Sequence, residues 1–224
     1  MQEKKSKIIV LIPCYREEEH IAAVVRDFIA AGMSVTVIDD GSPDHTAERA
    51  KEAGANVLVH PQNRGKGAAV TTGIEYARQQ GCDAVVFADG DGQHLPAEVT
   101  RFVECFRKTN SDLIIGTRMA DTKTMPLIRL LTNRFMSRVL SRRIGQVLTD
   151  TQCGYRLLSK RAFSCQTDTE FSGFAADSEV ILRAAKAGLK MAEVPVSTVY
   201  GTEKSKIHPV RDTILFFRLL RRFR

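Results

Sequence analysis

The residues best placed to do chemistry are Asp89 and Asp91, one residue apart, where the apolar run Val85-Val86-Phe87-Ala88 ends and Gly92-Gln93-His94 follows. On an extended strand residues i and i+2 face the same way, so the two carboxylates would stand side by side. Like charges that close oppose ionisation unless a cation lies between them. Hard oxygen donors at a strand tip suit Mg²⁺ or Mn²⁺ shared with substrate phosphates. A polar strand-to-helix turn uses similar letters, and in this setting it is the weaker account. His94 is either a third ligand or a turn residue.

Three further groups carry candidate chemistry. Asn63-Arg64-Gly65-Lys66-Gly67 opens a helical stretch, where backbone N–H groups and the Lys66 ammonium could cradle a phosphate. It is not a Walker A loop, because Ala68 stands where that motif needs Ser or Thr, and a simple glycine turn also explains it. Asp39-Asp40 could accept hydrogen bonds from a base and a ribose, or begin an Asp-Gly-Ser turn that caps a helix. Glu179, flanked by Val180, Ile181 and Leu182, is either a cleft carboxylate able to act as a base or the exposed face of its helix.

The elements that must position these groups alternate. Lys7 to Ile12 reads as a strand closed by Pro13, Glu17 to Ala31 as a helix with Ile21, Val24, Val25 and Phe28 on one face, and Ser34 to Ile38 as the next strand. Thr46 to Ala53 is a helix, Asn56 to His60 a strand, Gly67 to Gln80 a helix and Asp83 to Ala88 a strand. Such alternation predicts βαβ units: an α/β fold with a mostly parallel sheet and helices on both faces. In open sheets of this kind ligands bind beyond the carboxyl ends of the strands, where Pro13-Tyr15-Glu17, Asp39-Asp40, Asn63-Lys66 and Asp89-Asp91 all fall. The second half is less regular. Leu95 to Lys108 reads as a helix, Asp112 to Gly116 as a strand, and Leu127 to Leu148 as a long basic amphipathic segment. Asp150 to Leu158 reads as a loop entering a strand, Asp177 to Ala187 as a helix, and Lys190 to Val199 as a strand interrupted by Pro195.

At 224 residues, with 43% hydrophobic and 26% charged residues, the chain fits one soluble domain over residues 1–224 with a full core. Five scattered cysteines without a C-x-x-C pair argue for reduced thiols in a cytosolic setting, against a disulfide or zinc framework. No signal peptide and no membrane-spanning run is evident. The net charge of +7 is concentrated in two places: Gly116 to Arg143 carries seven Lys or Arg against Asp121, and Val199 to Arg224 seven against Glu203 and Asp212. Such segments suit phosphates, anionic lipid or nucleic acid, or are solvated helix faces.

Six motifs in order resemble those of family 2 glycosyltransferases: Ile12-Pro13-Cys14-Tyr15-Arg16-Glu17-Glu18, Val37-Ile38-Asp39-Asp40-Gly41-Ser42, Asn63-Arg64-Gly65-Lys66-Gly67, Asp89-Gly90-Asp91-Gly92-Gln93-His94, Gly116-Thr117-Arg118 and Asp150-Thr151-Gln152-Cys153-Gly154-Tyr155-Arg156. The last is similar to dolichyl-phosphate glucosyltransferases, while Glu203-Lys204-Ser205-Lys206-Ile207 is similar to dolichyl-phosphate mannose synthases. The resemblance implies a GT-A (Rossmann-like) fold, a nucleoside-diphosphate sugar donor of UDP-glucose or GDP-mannose type, and inversion at the anomeric carbon. Carried over by residue, Pro13, Tyr15, Glu17, Asp39 and Asp40 would hold the nucleoside, with Lys66 at the phosphates. Asp89, Asp91 and Gln93 would hold Mg²⁺ or Mn²⁺. Arg118, Arg156, Ser205 and Lys206 are candidates for donor or acceptor phosphate, as is Arg134 by its position on the basic segment. No Gln-x-x-Arg-Trp occurs and the chain has no Trp, which argues against processive polysaccharide synthesis.

The expected acceptor is a polyprenyl or dolichyl phosphate, which is already an anionic nucleophile; Asp177 and Glu179 would then orient the acceptor or an arginine. With a sugar or glycolipid hydroxyl instead, one of them would be the base. Residues 208–224 read as a basic amphipathic helix, with Arg211, Arg218 and Arg222 on one side and Phe216, Phe217, Leu219, Leu220 and Phe223 on the other. That pattern predicts peripheral attachment to an anionic membrane surface on its cytoplasmic inner face, the alternative being that the apolar side docks on the core. No nucleic-acid partner is expected. A phosphatase of haloacid-dehalogenase type and a non-enzymatic basic membrane or nucleic-acid binder are remote alternatives. The former usually carries its acidic motif on the first strand, and the latter leaves four clustered aspartates unexplained.

Overall fold

The computed structural model describes residues 6–120, 122, 125–167, 169, 174–197 and 209–223. Its first half follows the expected alternation: β1 (Ile8–Cys14), α1 (Ile21–Ala30), β2 (Ser34–Asp39), α2 (Thr46–Glu52), β3 (Asn56–Val59), α3 (Lys66–Gln79) and β4 (Ala84–Phe87). These strands are nearly continuous apolar runs because both faces of a parallel sheet are covered. Val10, Leu11 and Ile12 of β1 and Ala84, Val85 and Val86 of β4 are fully buried. The sheet order β3-β2-β1-β4 reverses direction at β1. With right-handed crossovers, α1 and α2 therefore cover one face and α3 the other.

The second half supplies α4 (Val99–Thr109), β5 (Leu113–Thr117), α5 (Leu127–Ile144), β6 (Arg156–Ser159), α6 (Phe163–Thr167), α7 (Phe174–Lys186), β7 (Met191–Pro195) and α8 (Pro209–Arg222). Among the described residues the sheet has seven strands in the order β3-β2-β1-β4-β6-β5-β7, and β6 alone runs antiparallel to its neighbours. Pairing of Phe87 and Ile115 with Arg156 puts the start of β6 at the edge where β4 and β5 end. The loop before β6 is thereby delivered to the same edge as the strand-end motifs. Several boundaries differ from the sequence reading: α5 ends at Ile144, α7 begins at Phe174 and β7 ends at Pro195. Residues 17–20 form a turn ahead of α1, and Pro96–Glu98 form one 3₁₀ turn ahead of α4. A prolyl residue has no N–H to donate, which suits Pro195 to the last position of its strand.

A second apolar cluster lies outside the main core, where Phe216 and Leu219 of α8 are buried against Met136 and Leu140 of α5 and Leu182 of α7. Of the two readings of the C-terminal helix, docking on the core therefore holds for part of its apolar side. Phe216 and Leu219 dock on protein, while Ile214 and Phe217 of the same helix are exposed. No helix among the described residues is long and apolar enough to cross a membrane. All five cysteines are free.

Candidate active site

β1 and β4 are neighbours, yet the chain leaves β1 toward β2 and returns through α3 to β4. The crevice beyond their carboxyl ends is therefore the point where the winding reverses. Asp89 and Asp91 stand there, directly after β4. Asp89 is half-buried, and its Oδ1 lies 2.5 Å from Lys66 Nζ at the start of α3. Burial alone would raise its pKa, but the Lys66 ammonium, with His94 and Arg118 near, holds the carboxyl well below the usual range. The same pairing raises the pKa of Lys66. Asp91 Oδ1 accepts the Gln93 backbone N–H at 2.9 Å.

His94 makes the contacts of a turn residue, and its Nε2 still faces the Asp89 carboxylate. Its Nδ1 accepts the Asp89 backbone N–H at 3.1 Å, and its ring stacks on Tyr155 with centroids 4.8 Å apart. Burial lowers its pKa against the pull of Asp89 and Asp91, and Nε2 sits 3.9 Å from Asp89 Oδ2. Tyr155 is fully buried among Phe28, Phe102 and His94 and pins the loop before β6 against β4. That loop passes so close that a Cβ on Gly154 would lie 3.2 Å from Asp89 Oδ2.

The nucleoside candidates sit beyond β1 and β2. Pro13 is buried, Tyr15 is 39% exposed with the Arg16 guanidinium over its ring, and Glu17 donates its N–H to Thr46 Oγ1. Asp39 is buried and accepts both the N–H and the hydroxyl of Ser42. Asp40 is buried and accepts from His60 Nδ1 at 2.7 Å and from the N–H groups of Arg64 at 2.9 Å and Gly65 at 2.7 Å. Asp40 thus ties the loop carrying Lys66 to the end of β2. Gly41 completes that junction: at φ +71°, a Cβ there would fall 2.6 Å from the Gln62 carbonyl carbon.

A second buried network closes the other wall. Asp150, fully buried, accepts Arg118 Nε at 2.6 Å, Arg118 Nη2 at 2.8 Å and Asn133 Nδ2 at 2.7 Å. Burial would raise its pKa, but the Arg118 hydrogen bonds and charge bring it below the ordinary value. Arg156 is 2% exposed and gives its donors to the carbonyls of Cys153, Thr151 and Asp177. Asp177 is half-buried at the first turn of α7, 3.4 Å from Arg156. Burial raises its pKa against the pull of Arg156 and Lys66. Glu179 is not on an exposed helix face: it is fully buried and bonded to Arg183 at 2.7 and 2.9 Å. Arg134 is exposed on α5, and Ser205 and Lys206 lie outside the described residues. Burial pushes the Cys153 thiol up to about 12 and that of Cys14 further still, so neither is a nucleophile at neutral pH.

The structure therefore brings Lys66, Asp89, Asp91 and Asp177 within range of one another's charge, with Arg118, Arg156 and Asp40 as buried supports. Sequence reasoning missed His60, Asn133, Asp150 and Glu193. Glu193 accepts the N–H groups of Thr149 and Asp150. Asp150 had a legible signal as the first residue of the quoted Asp-Thr-Gln-Cys-Gly run; the other three had none. Among the described residues no three His, Cys, Asp or Glu side chains form a ready metal cage. Two carboxylates at a strand end still fit an ion that takes its remaining ligands from phosphate and water, as Mg²⁺ does.

Residues 9–166 match the model of glycosyl transferase family 2. Glycosyltransferase AglJ of Haloferax volcanii is 34% identical over 96% of this chain and 71% of its own. The UDP-N-acetylglucosamine–dolichyl-phosphate N-acetylglucosaminyltransferase of Methanococcus voltae is 30% identical over 95% and 94%. Among solved structures, glucosyl-3-phosphoglycerate synthase from Mycobacterium tuberculosis, crystallised with Mn²⁺, UDP and phosphoglyceric acid, superimposes with a TM-score of 0.72. It is 18% identical, and the match covers 97% of this chain and 78% of that one. The fold is that of the GT-A glycosyltransferases.

Proposed function

The chain belongs to glycosyl transferase family 2, and from that premise we propose that its single domain moves a sugar from a nucleoside-diphosphate sugar to a polyprenyl-type lipid phosphate at a membrane surface. The observation that carries the donor half is the Asp89–Asp91 pair at the winding reversal, with the Lys66 ammonium beside it. Asp89, Asp91 and Gln93 would hold Mg²⁺ or Mn²⁺, which neutralises charge developing on the departing diphosphate. Tyr15, Glu17 and the loop anchored by Asp39 and Asp40 line the nucleoside side. A lipid phosphate attacks without surrendering a proton, so no base is required. The exposed arginines of α5 offer it positive charge, with Arg118 behind them, buried on Asp150, and the dolichyl-phosphate acceptor in the name of the Methanococcus voltae relative supports the same class. If the acceptor is instead a hydroxyl, Asp177 is better suited to be the base than Glu179, because Glu179 is buried and committed to Arg183.

The donor assignment is tested by melting temperature. UDP- or GDP-sugars with Mn²⁺ are expected to stabilise the protein by about 2.7 kcal/mol at a hundredfold excess over Kd, a shift of several degrees. Absence of any shift with both nucleotide classes would overturn it.

Membrane attachment is assigned to a ridge shared by two helices. Leu127, Ile128, Leu131 and Phe135 on α5 and Ile214 and Phe217 on α8 are all at least 45% exposed, and the Phe135 and Phe217 rings are 6.5 Å apart. Exposed arginines 134, 138, 142, 218, 221 and 222 share these two helices. Apolar side chains beside cations are what an anionic bilayer surface binds. Deleting α8 would also uncover Met136, Leu140 and Leu182, so point substitutions are the cleaner probe. Leu131→Ser combined with Phe135→Ser is expected to lower sedimentation with anionic vesicles by about tenfold, given roughly 25 cal/mol per Å² of apolar area returned to water. Nucleotide binding should persist; undiminished sedimentation would rule this ridge out.

A further inference from the structure

Lys66 is held at Asp89 by a single charged hydrogen bond. Its side chain is 66% exposed, and the 2.5 Å contact between Nζ and Asp89 Oδ1 is the hydrogen bond that fixes it there. Asp91 and Asp177 are the other acids whose charge acts on this ammonium. The second oxygen of Asp89 faces Gly154 and lies 3.9 Å from His94 Nε2. An ion bound through Oδ1, alone or together with Oδ2, would therefore displace the Lys66 ammonium.

We propose that Lys66 is an internal cation that competes with the divalent ion for Asp89, and that it yields the position only when a diphosphate offers it another anion. The inference rests on the nucleotide-sugar reading above and adds an order of events to it. A divalent ion arriving alone would have to break the Lys66–Asp89 pair and then sit beside the displaced ammonium, and both steps oppose binding. A diphosphate arriving with the ion reverses both: it supplies negative charge for Lys66 and oxygen ligands for the metal. Metal and diphosphate binding are then coupled, and by linkage each tightens the other by the same factor. Free divalent ions would leave the empty enzyme uncharged with metal, and the loaded complex would form in one cooperative step.

The test measures Mn²⁺ binding to the full chain from the electron paramagnetic resonance of free Mn²⁺, with and without UDP or GDP. Wild type, Lys66→Met and Lys66→Arg are compared, and circular dichroism checks that each is folded. Lys66→Met is expected to bind Mn²⁺ alone about tenfold more tightly than wild type, whereas Lys66→Arg, which keeps the charge, stays near wild type. The nucleotide should tighten Mn²⁺ binding by about tenfold or more in wild type and by much less in Lys66→Met. Equal Mn²⁺ affinity in Lys66→Met and wild type, or an equal gain in Lys66→Arg, would overturn the competition. If Lys66→Met gains affinity while neither UDP nor GDP binds wild type, the nucleotide reading fails and the competition stands. If a diphosphate binds but Lys66→Met gains nothing, the reverse holds.

Discussion

Asp91→Asn is expected to give a folded protein whose sugar transfer has fallen by about 10³-fold, the scale of losing one preorganised electrostatic contact to the transition state. The fold should survive because the bond that Asp91 makes to the Gln93 N–H needs an acceptor oxygen, and an amide supplies one. The loss should fall on metal-dependent donor binding and on turnover alike, since the carboxylate would share its ion with the diphosphate. Donor consumption with saturating Mn²⁺, read beside the melting temperature, separates the two effects. Activity within tenfold of wild type, or wild-type turnover undiminished by EDTA, would remove the aspartate pair from the reaction.

The largest expected effect on stability lies at Asp150. Asp150→Ala would leave the Arg118 guanidinium, itself 6% exposed, without its bidentate partner. Breaking a buried ion pair from one side costs about 3–5 kcal/mol. In a protein of this size that lowers Tm by about 10 °C. The sign with pH follows from the depressed pKa of Asp150 in the folded state. Its contribution is complete above the unfolded carboxyl value of about 3.9 and is lost as pH falls through the lower folded value. The gap in Tm between wild type and variant should therefore be constant near neutrality and narrow only in acid. Equal melting temperatures at pH 7 would show that the pair adds nothing.

Much of the first half of the protein was legible because each strand there is a short apolar run ended by Pro, Gly or Asp. The rule that places ligands at the carboxyl ends of parallel strands then does the rest. Asp89, Asp91 and Lys66 were found that way, and Lys66 and Asp89 pair in the structure. What stayed hidden was how donors and acceptors are shared. Asp40 and Arg156 read as ligand-binding groups, yet in the structure Asp40 is spent on Arg64, Gly65 and His60, and Arg156 on three carbonyls. Letters at a strand end report proximity to a cleft but not which partner a side chain finds. The C-terminal helix shows the same limit. Its periodicity gave an apolar side, but Phe216 and Leu219 chose protein because Met136, Leu140 and Leu182 wait on two other helices. The antiparallel direction of β6 was also out of reach, since direction is set by which edge a strand joins.

The insertion of β6 between β4 and β5 imposes a timetable on the ribosome. β1 to β4 can pair once Phe87 has left the ribosome, but the outer edge of β4 has no neighbour until Arg156–Ser159 emerge. β5 is synthesised earlier and cannot close that edge, because β6 separates the two. Throughout the synthesis of α5 the nascent chain therefore carries an open apolar edge, Ala84–Phe87, of the kind that invites pairing with another chain. The two walls of the cleft are separated in time as well: the strand that carries Asp89 is finished long before the loop that will shut against it exists.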